Sequence, residues 1–91
     1  MQQHVINDRS ITYDYDTLQD MLYVLFEPVT GATFYEDVPD IPGVMRRFTM
    51  GDDERLVGIT VHDVKKRLPS DLSDSEALRK LTQSLIERLN L

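Results

Sequence analysis

Apolar and polar residues alternate along Ser10-Ile11-Thr12-Tyr13-Asp14-Tyr15, which sets Ile11, Tyr13 and Tyr15 on one face of a strand and Thr12 and Asp14 on the other. Residues 16–20 interrupt this pattern. Met21-Leu22-Tyr23-Val24-Leu25-Phe26 is then apolar at every position, which predicts a strand at the centre of a sheet, covered on both faces. Pro28 ends that run, and Thr30-Gly31-Ala32 predicts a turn into a third strand over about 33–38. Pro39-Asp40-Ile41-Pro42-Gly43 lacks two amide donors and holds a glycine, so an exposed connection is expected there, the segment best able to move. In 44–50 Val44, Phe48 and Met50 share one face, with Met45, Arg47 and Thr49 on the other. Arg46 falls on the apolar face. Either its stem packs near a strand end with the guanidinium in water, the favoured reading, or it pairs with an acid. Gly51-Asp52-Asp53-Glu54 reads as a turn, and Leu56-Val57-Gly58-Ile59-Thr60-Val61 as the last strand of a hairpin. Gly58 inside that strand marks a bulge or a close approach of another backbone.

From Ser73 the period lengthens to that of a helix. Ser73 and Glu76 form a capping box, and Leu72 with Ala77 a hydrophobic staple. Ala77, Leu78, Leu81, Leu85, Ile86 and Leu89 recur on one helical face, and that stripe has to be buried. Packing on the chain's own sheet is favoured; the alternative is a dimer seam through Leu78, Leu81, Leu85 and Leu89. The expected fold class is α+β, an antiparallel β-meander of four to five strands with one C-terminal amphipathic helix. It forms a single domain over 1–91, with the sheet at about 10–63, a linker at 64–72 and the helix at about 73–90.

The 91 residues carry no cysteine, which excludes a disulfide framework, a thiolate metal site and a thiol nucleophile. No apolar run is long enough to cross a bilayer, and the first eight residues lack the basic start and apolar stretch of a signal peptide, so a cytoplasmic location is expected. A chain this short buries only about 60–65% of its unfolded surface. Dimerisation is a natural way to thicken such a core, and a homodimer is expected. The net charge of −6 argues against phosphate-driven binding of nucleic acid. Residues 1–63 hold twelve acids and four bases, a net −8, whereas 64–91 hold four acids and six bases, a net +2. The favoured reading of this acidic body is that it keeps the chain soluble; the alternative is that it steers a basic protein partner toward it.

Candidate chemistry is sparse. Asp14, Asp16 and Asp20 supply oxygen ligands for a hard cation, but Leu18, Gln19 and Leu25 stand where a calcium loop needs an acid or amide, a glycine and a glutamate. Bonds from Asp16 and Asp20 to backbone amides of the strand connection are the favoured reading. His62 follows the last strand, and His4, the other histidine, lies in a terminus expected to fray, so spacing supports neither a metal pair nor a triad. Lys65-Lys66-Arg67 reads as solvated surface. No cofactor is expected.

Tyr15-Asp16-Thr17-Leu18-Gln19-Asp20-Met21-Leu22-Tyr23-Val24 and Arg55-Leu56-Val57-Gly58-Ile59 resemble two motifs of a small bacterial family known as domain-of-unknown-function family 2283. Thr60 departs from that family's usual Glu, and Glu54 from a common turn Gly. The resemblance implies a small sheet with a helix, a cytoplasmic location, no established activity, and neighbourhood to ribonuclease-like toxins that suggests antitoxin-like binding. The motifs also explain folding: Asp20 fixes a turn, Leu22 and Tyr23 pack on opposite faces, and Gly58 permits close approach. The expected function is a non-catalytic protein-interaction domain, antitoxin-like, neutralising a basic partner. The alternatives are a small metal-dependent enzyme or metal-binding protein using the Asp residues and His62, and a structural subunit of a larger assembly.

Overall fold

In the computed structural model, the described residues are 2–6, 9–51 and 53–91. They form strands β1 (Gln2–Ile6), β2 (Arg9–Asp16), β3 (Met21–Leu25), β4 (Thr33–Asp37), β5 (Val44–Thr49) and β6 (Leu56–His62), a 3-10 turn at Val64–Lys66, and helix α1 (Asp74–Arg88). The strands make one sheet in the order β1-β2-β3-β6-β5-β4, every neighbouring pair antiparallel. The class is α+β, with six strands rather than four to five.

The additional strand, β1, lies where a frayed terminus was expected; it pairs with β2 from Gln2↔Tyr13 to Ile6↔Arg9, and Ile6 is buried in the core. Nor is the sheet one meander. β1-β2-β3 and β4-β5-β6 are two three-stranded meanders, joined where β3 pairs with β6 rather than with β4. The apolar run of β3 and the buried run Val57 to Val61 of β6 thereby take the centre, where a strand loses most water.

One face of the sheet carries the core. Ile11 and Tyr13 of β2, Leu22 and Val24 of β3, Ile59 and Val61 of β6 and Val44 of β5 point to it and are buried. α1 lies on this face. Ser73 caps it, its hydroxyl accepting the Glu76 amide, and Leu85 and Ile86 join the core cluster, with Leu78, Leu81 and Leu89 partly buried against it. The leucine stripe named as a candidate dimer seam is therefore turned toward the chain's own sheet. Thr82, fully buried among these residues, satisfies its hydroxyl by donating to the Leu78 carbonyl at 2.8 Å.

The segment 39–43 is an exposed connection at Pro39, Asp40, Pro42 and Gly43, as expected, but it is anchored. Val38 and Ile41 are buried in the core, and the turn is closed by Val38 N–H to Val44 O, Ile41 N–H to Val38 O and Val44 N–H to Ile41 O. The Arg67 guanidinium donates to the Pro42 carbonyl as well. Prolines and glycine set the turn, but Ile41 between the prolines anchors it.

Gly58 behaves as its position suggested. A Cβ there would run into the Val24 carbonyl oxygen, so only glycine lets β6 approach β3 this closely. The register of β5 against β6 shifts at Arg47/Phe48, beside the Arg47↔Gly58 pair.

Candidate functional site

The Asp residues resolve into a structural clip. Asp16 ends β2, and its carboxylate accepts the amides of Leu18 and Gln19 at 3.0 and 3.1 Å, which folds the connection to β3. Asp20 stands at φ +55°, in the left-handed region that Asp tolerates. Its carboxylate accepts the Tyr15 hydroxyl at 2.6 Å and the Lys65 amide at 3.1 Å, and its carbonyl accepts the Val64 amide. Asp20 thus ties the β2–β3 turn to the chain leaving β6. The hydrogen bond to Asp20 first, then burial and the charges of Asp20 and Asp74, push the Tyr15 hydroxyl pKa up to about 12. Among the described residues no group of three or more His, Cys, Asp or Glu is placed to hold a metal ion.

The two histidines are far from each other's chemistry. His4 stacks on Tyr13, ring centroids 3.9 Å apart, with Nε2 buried and unpartnered. Burial, helped by the charge of Arg79, holds its pKa below the usual histidine value. His62 ends β6, pairs in register with Met21, and uses its backbone to accept Arg67 Nε and to donate to the Gly43 carbonyl.

The most distinctive surface is the other face of the sheet. The residues outside the strands that join the core, among them Ile41, Val64, Leu68 and Leu85, all pack with the face of Ile11, Leu22 and Ile59. On the opposite face Met21, Tyr23 and Leu25 of β3 and Met45 of β5 remain half-exposed, and none belongs to the core cluster. That corrects the expectation that β3 is covered on both sides: its burial alternates along the strand. Tyr23 donates its hydroxyl to the Met21 sulfur at 3.6 Å, confirming that the two share this surface.

The registers place five residues in one row across five strands: Asp14 of β2, Tyr23 of β3, Thr60 of β6, Met45 of β5 and Asp37 of β4. Thr60 is 2% exposed and Gly58 buried, so the central strand forms a floor. Tyr23 and Leu25 flank it on one side, Met45 and Arg47 on the other. Asp14 and Asp37 close the row at its two ends; both are exposed, and neither has an ion-pair partner among the described residues. Arg47, one row away, is tied down by its Nε donating to Thr33 Oγ1 at 3.0 Å and by the Tyr35 ring.

Of the residues singled out in the sequence, Tyr15, Asp16 and Asp20 meet in the clip, Leu22 lies in the core, and Tyr23 and Gly58 lie in or beside this row. Sequence reasoning missed Met45, Asp14 and Asp37 as members of one surface. It missed Leu18 too, which sits 96% exposed at the tip of the Asp16 turn. Among the described residues, no helix is long and apolar enough to cross a membrane. Comparison with protein-family models, with curated proteins and with solved structures gives no match.

Proposed function

We propose that this chain is a non-catalytic protein-interaction domain that docks a basic protein on the uncovered face of its sheet, in the manner of an antitoxin neutralising its target. The observation that carries the reading is β3. All five of its residues are apolar, as in a strand between two layers, yet only Leu22 and Val24 are buried. Leaving Met21, Tyr23 and Leu25 partly in water forgoes some of the burial free energy, about 25 cal/mol per Å² of apolar surface. A partner supplying the second layer recovers it. Tyr and Met suit such a surface, Tyr by offering an apolar ring with a polar tip and Met by adapting its shape. The net charge of −6 steers a basic partner toward it.

The test is the composition of the native complex. The tagged chain, purified from cells that make it, is examined by light scattering and mass spectrometry beside two variants, Tyr23→Glu with Met45→Glu, and Lys80→Glu on an exposed position of α1. The expected result is a stoichiometric basic companion, lost from the first variant and kept by the second. A lone chain, or a companion indifferent to Tyr23 and Met45, overturns the reading.

A further inference from the structure

Resting on that reading, we infer that the occupant of the uncovered face is an amphipathic α-helix of the partner, its apolar stripe lying over β6 and flanked on both edges by Lys or Arg. The argument is one of width. From Asp14 on β2 to Asp37 on β4 the row crosses four strand spacings. At about 4.8 Å each, the backbone positions of the two Asp residues stand roughly 19 Å apart. A helix with its side chains is about 10–12 Å across. Lying across Tyr23, Thr60 and Met45, it leaves about 4 Å between each of its edges and the flanking Asp, room for a basic side chain to reach each carboxylate.

Other occupants fit less well. β2, β3, β6 and β5 are all interior strands whose backbone bonding groups are used in the ladders, so an added strand gains no main-chain pairing on this face. A second sheet would extend over the whole row and bury Asp14 and Asp37, and desolvating two carboxylates is unfavourable without a matched cation for each. A second copy of the chain carries the same net charge of −6, so its approach is opposed by like charge. A helix covers the apolar centre and keeps both acids at a wet rim.

The experiment uses the full chain and three synthetic 18-residue peptides, read by fluorescence anisotropy at two salt concentrations. All three share one composition of Leu and Ala; the first sets them in a helical stripe flanked by Lys, the second in the same stripe flanked by Glu, and the third scrambles the Lys peptide. The Lys-flanked helix is expected to bind at least about tenfold tighter than either control. Tyr23→Glu weakens it at least about tenfold, as for a central anchor. Asp14→Asn and Asp37→Asn each weaken it by up to about fivefold and flatten its salt dependence, while Asp71→Asn in the linker leaves it unchanged. Equal binding of the Lys peptide and its scramble, or equal effects of Asp14→Asn and Asp71→Asn, overturns the inference. A concentration-dependent dimer abolished by Tyr23→Glu overturns it in favour of a second copy. If the native companion is lost on Tyr23→Glu and Met45→Glu but no peptide discriminates, the helix inference fails while the docking face stands; if the companion ignores both substitutions, the docking face itself fails.

Discussion

The two faces of this sheet are built from the same strands and differ in what covers them. Leu22 and Val24 on β3 point toward α1 and are buried to 0% and 1% exposure, while Met21, Tyr23 and Leu25, their immediate neighbours in sequence, stay half-exposed. The covered face uses aliphatic, mostly branched side chains with few rotamers, suited to a fixed packing. The open face uses Met, Tyr, Leu and Met around the small Thr60 and Gly58, with acids at its margins. A core and a binding surface are therefore distinguishable here by residue type as well as by exposure, although the local hydrophobic pattern of β3 is the same for both.

The largest effect should come from forcing a charge into the covered face. Leu85 is 5% exposed in the core cluster, so Leu85→Lys places an ammonium where nothing pairs with it. The expected product is unfolded by circular dichroism at 25 °C. A folded monomer would instead place the leucine stripe at a seam between copies and break the assignment of this face as the core.

Truncation then compares the faces directly. Leu22→Ala, at a wholly buried position, should cost about 2–5 kcal/mol in urea unfolding. Met21→Ala, one residue earlier on the open face, should cost less than about 1 kcal/mol, because its side chain is only partly buried and lies outside the core cluster. Equal losses would mean that the open face is part of the folding core and would remove the contrast on which the docking proposal rests.

Much of the covered face was legible in the sequence, because its signals are local. The alternation through Ile11, Tyr13 and Tyr15, the cap at Ser73 and the helical stripe each need only a few consecutive residues. β1 was not legible, since Gln2, Gln3 and His4 show no apolar alternation and the strand exists through its pairing with β2. The β3–β6 pairing joins residues almost forty apart, and no local rule chooses it over a β3–β4 hairpin. The open face was half legible: the apolar run of β3 and the separate role of Tyr23 could be read, but the row from Asp14 to Asp37 depends on four registers at once. Ile41 shows the same limit on a small scale. Its flanking prolines mark a turn, and only tertiary packing shows that the turn is anchored in the core.

A smaller effect belongs to the clip at the end of the covered face. Tyr15→Phe removes the donor to Asp20 and should cost about 1 kcal/mol near neutral pH. Because the folded-state pKa of Tyr15 is raised, from 10.0 to about 12, the neutral hydroxyl is the favoured form in the folded chain. Its contribution is fully present below pH 10 and is lost as pH rises toward 12. The stability difference between wild type and Tyr15→Phe should accordingly shrink over that interval in urea titrations; a difference that stays constant through pH 12 would show that the hydroxyl does not sense the Asp20 carboxylate.

The smallest expected effect tests whether the acids of the clip, Asp16 and Asp20, hold a metal ion rather than a turn. One Asp16 oxygen already receives two amides, and the Asp20 carboxylate receives the Tyr15 hydroxyl and the Lys65 amide. A hard cation of the calcium type takes six to eight oxygens, so it would have to strip these bonds and then find most of its ligands in water. Calorimetric titration with Ca2+, Mg2+, Mn2+ and Zn2+ should therefore show no submicromolar site, and the heats should be the same for Asp16→Asn and Asp20→Asn. Submicromolar binding lost in either variant would make the turn a metal site, bring His62 back as a candidate ligand or base near Met21, and turn the clip from a fold-fixing device into a site of chemistry.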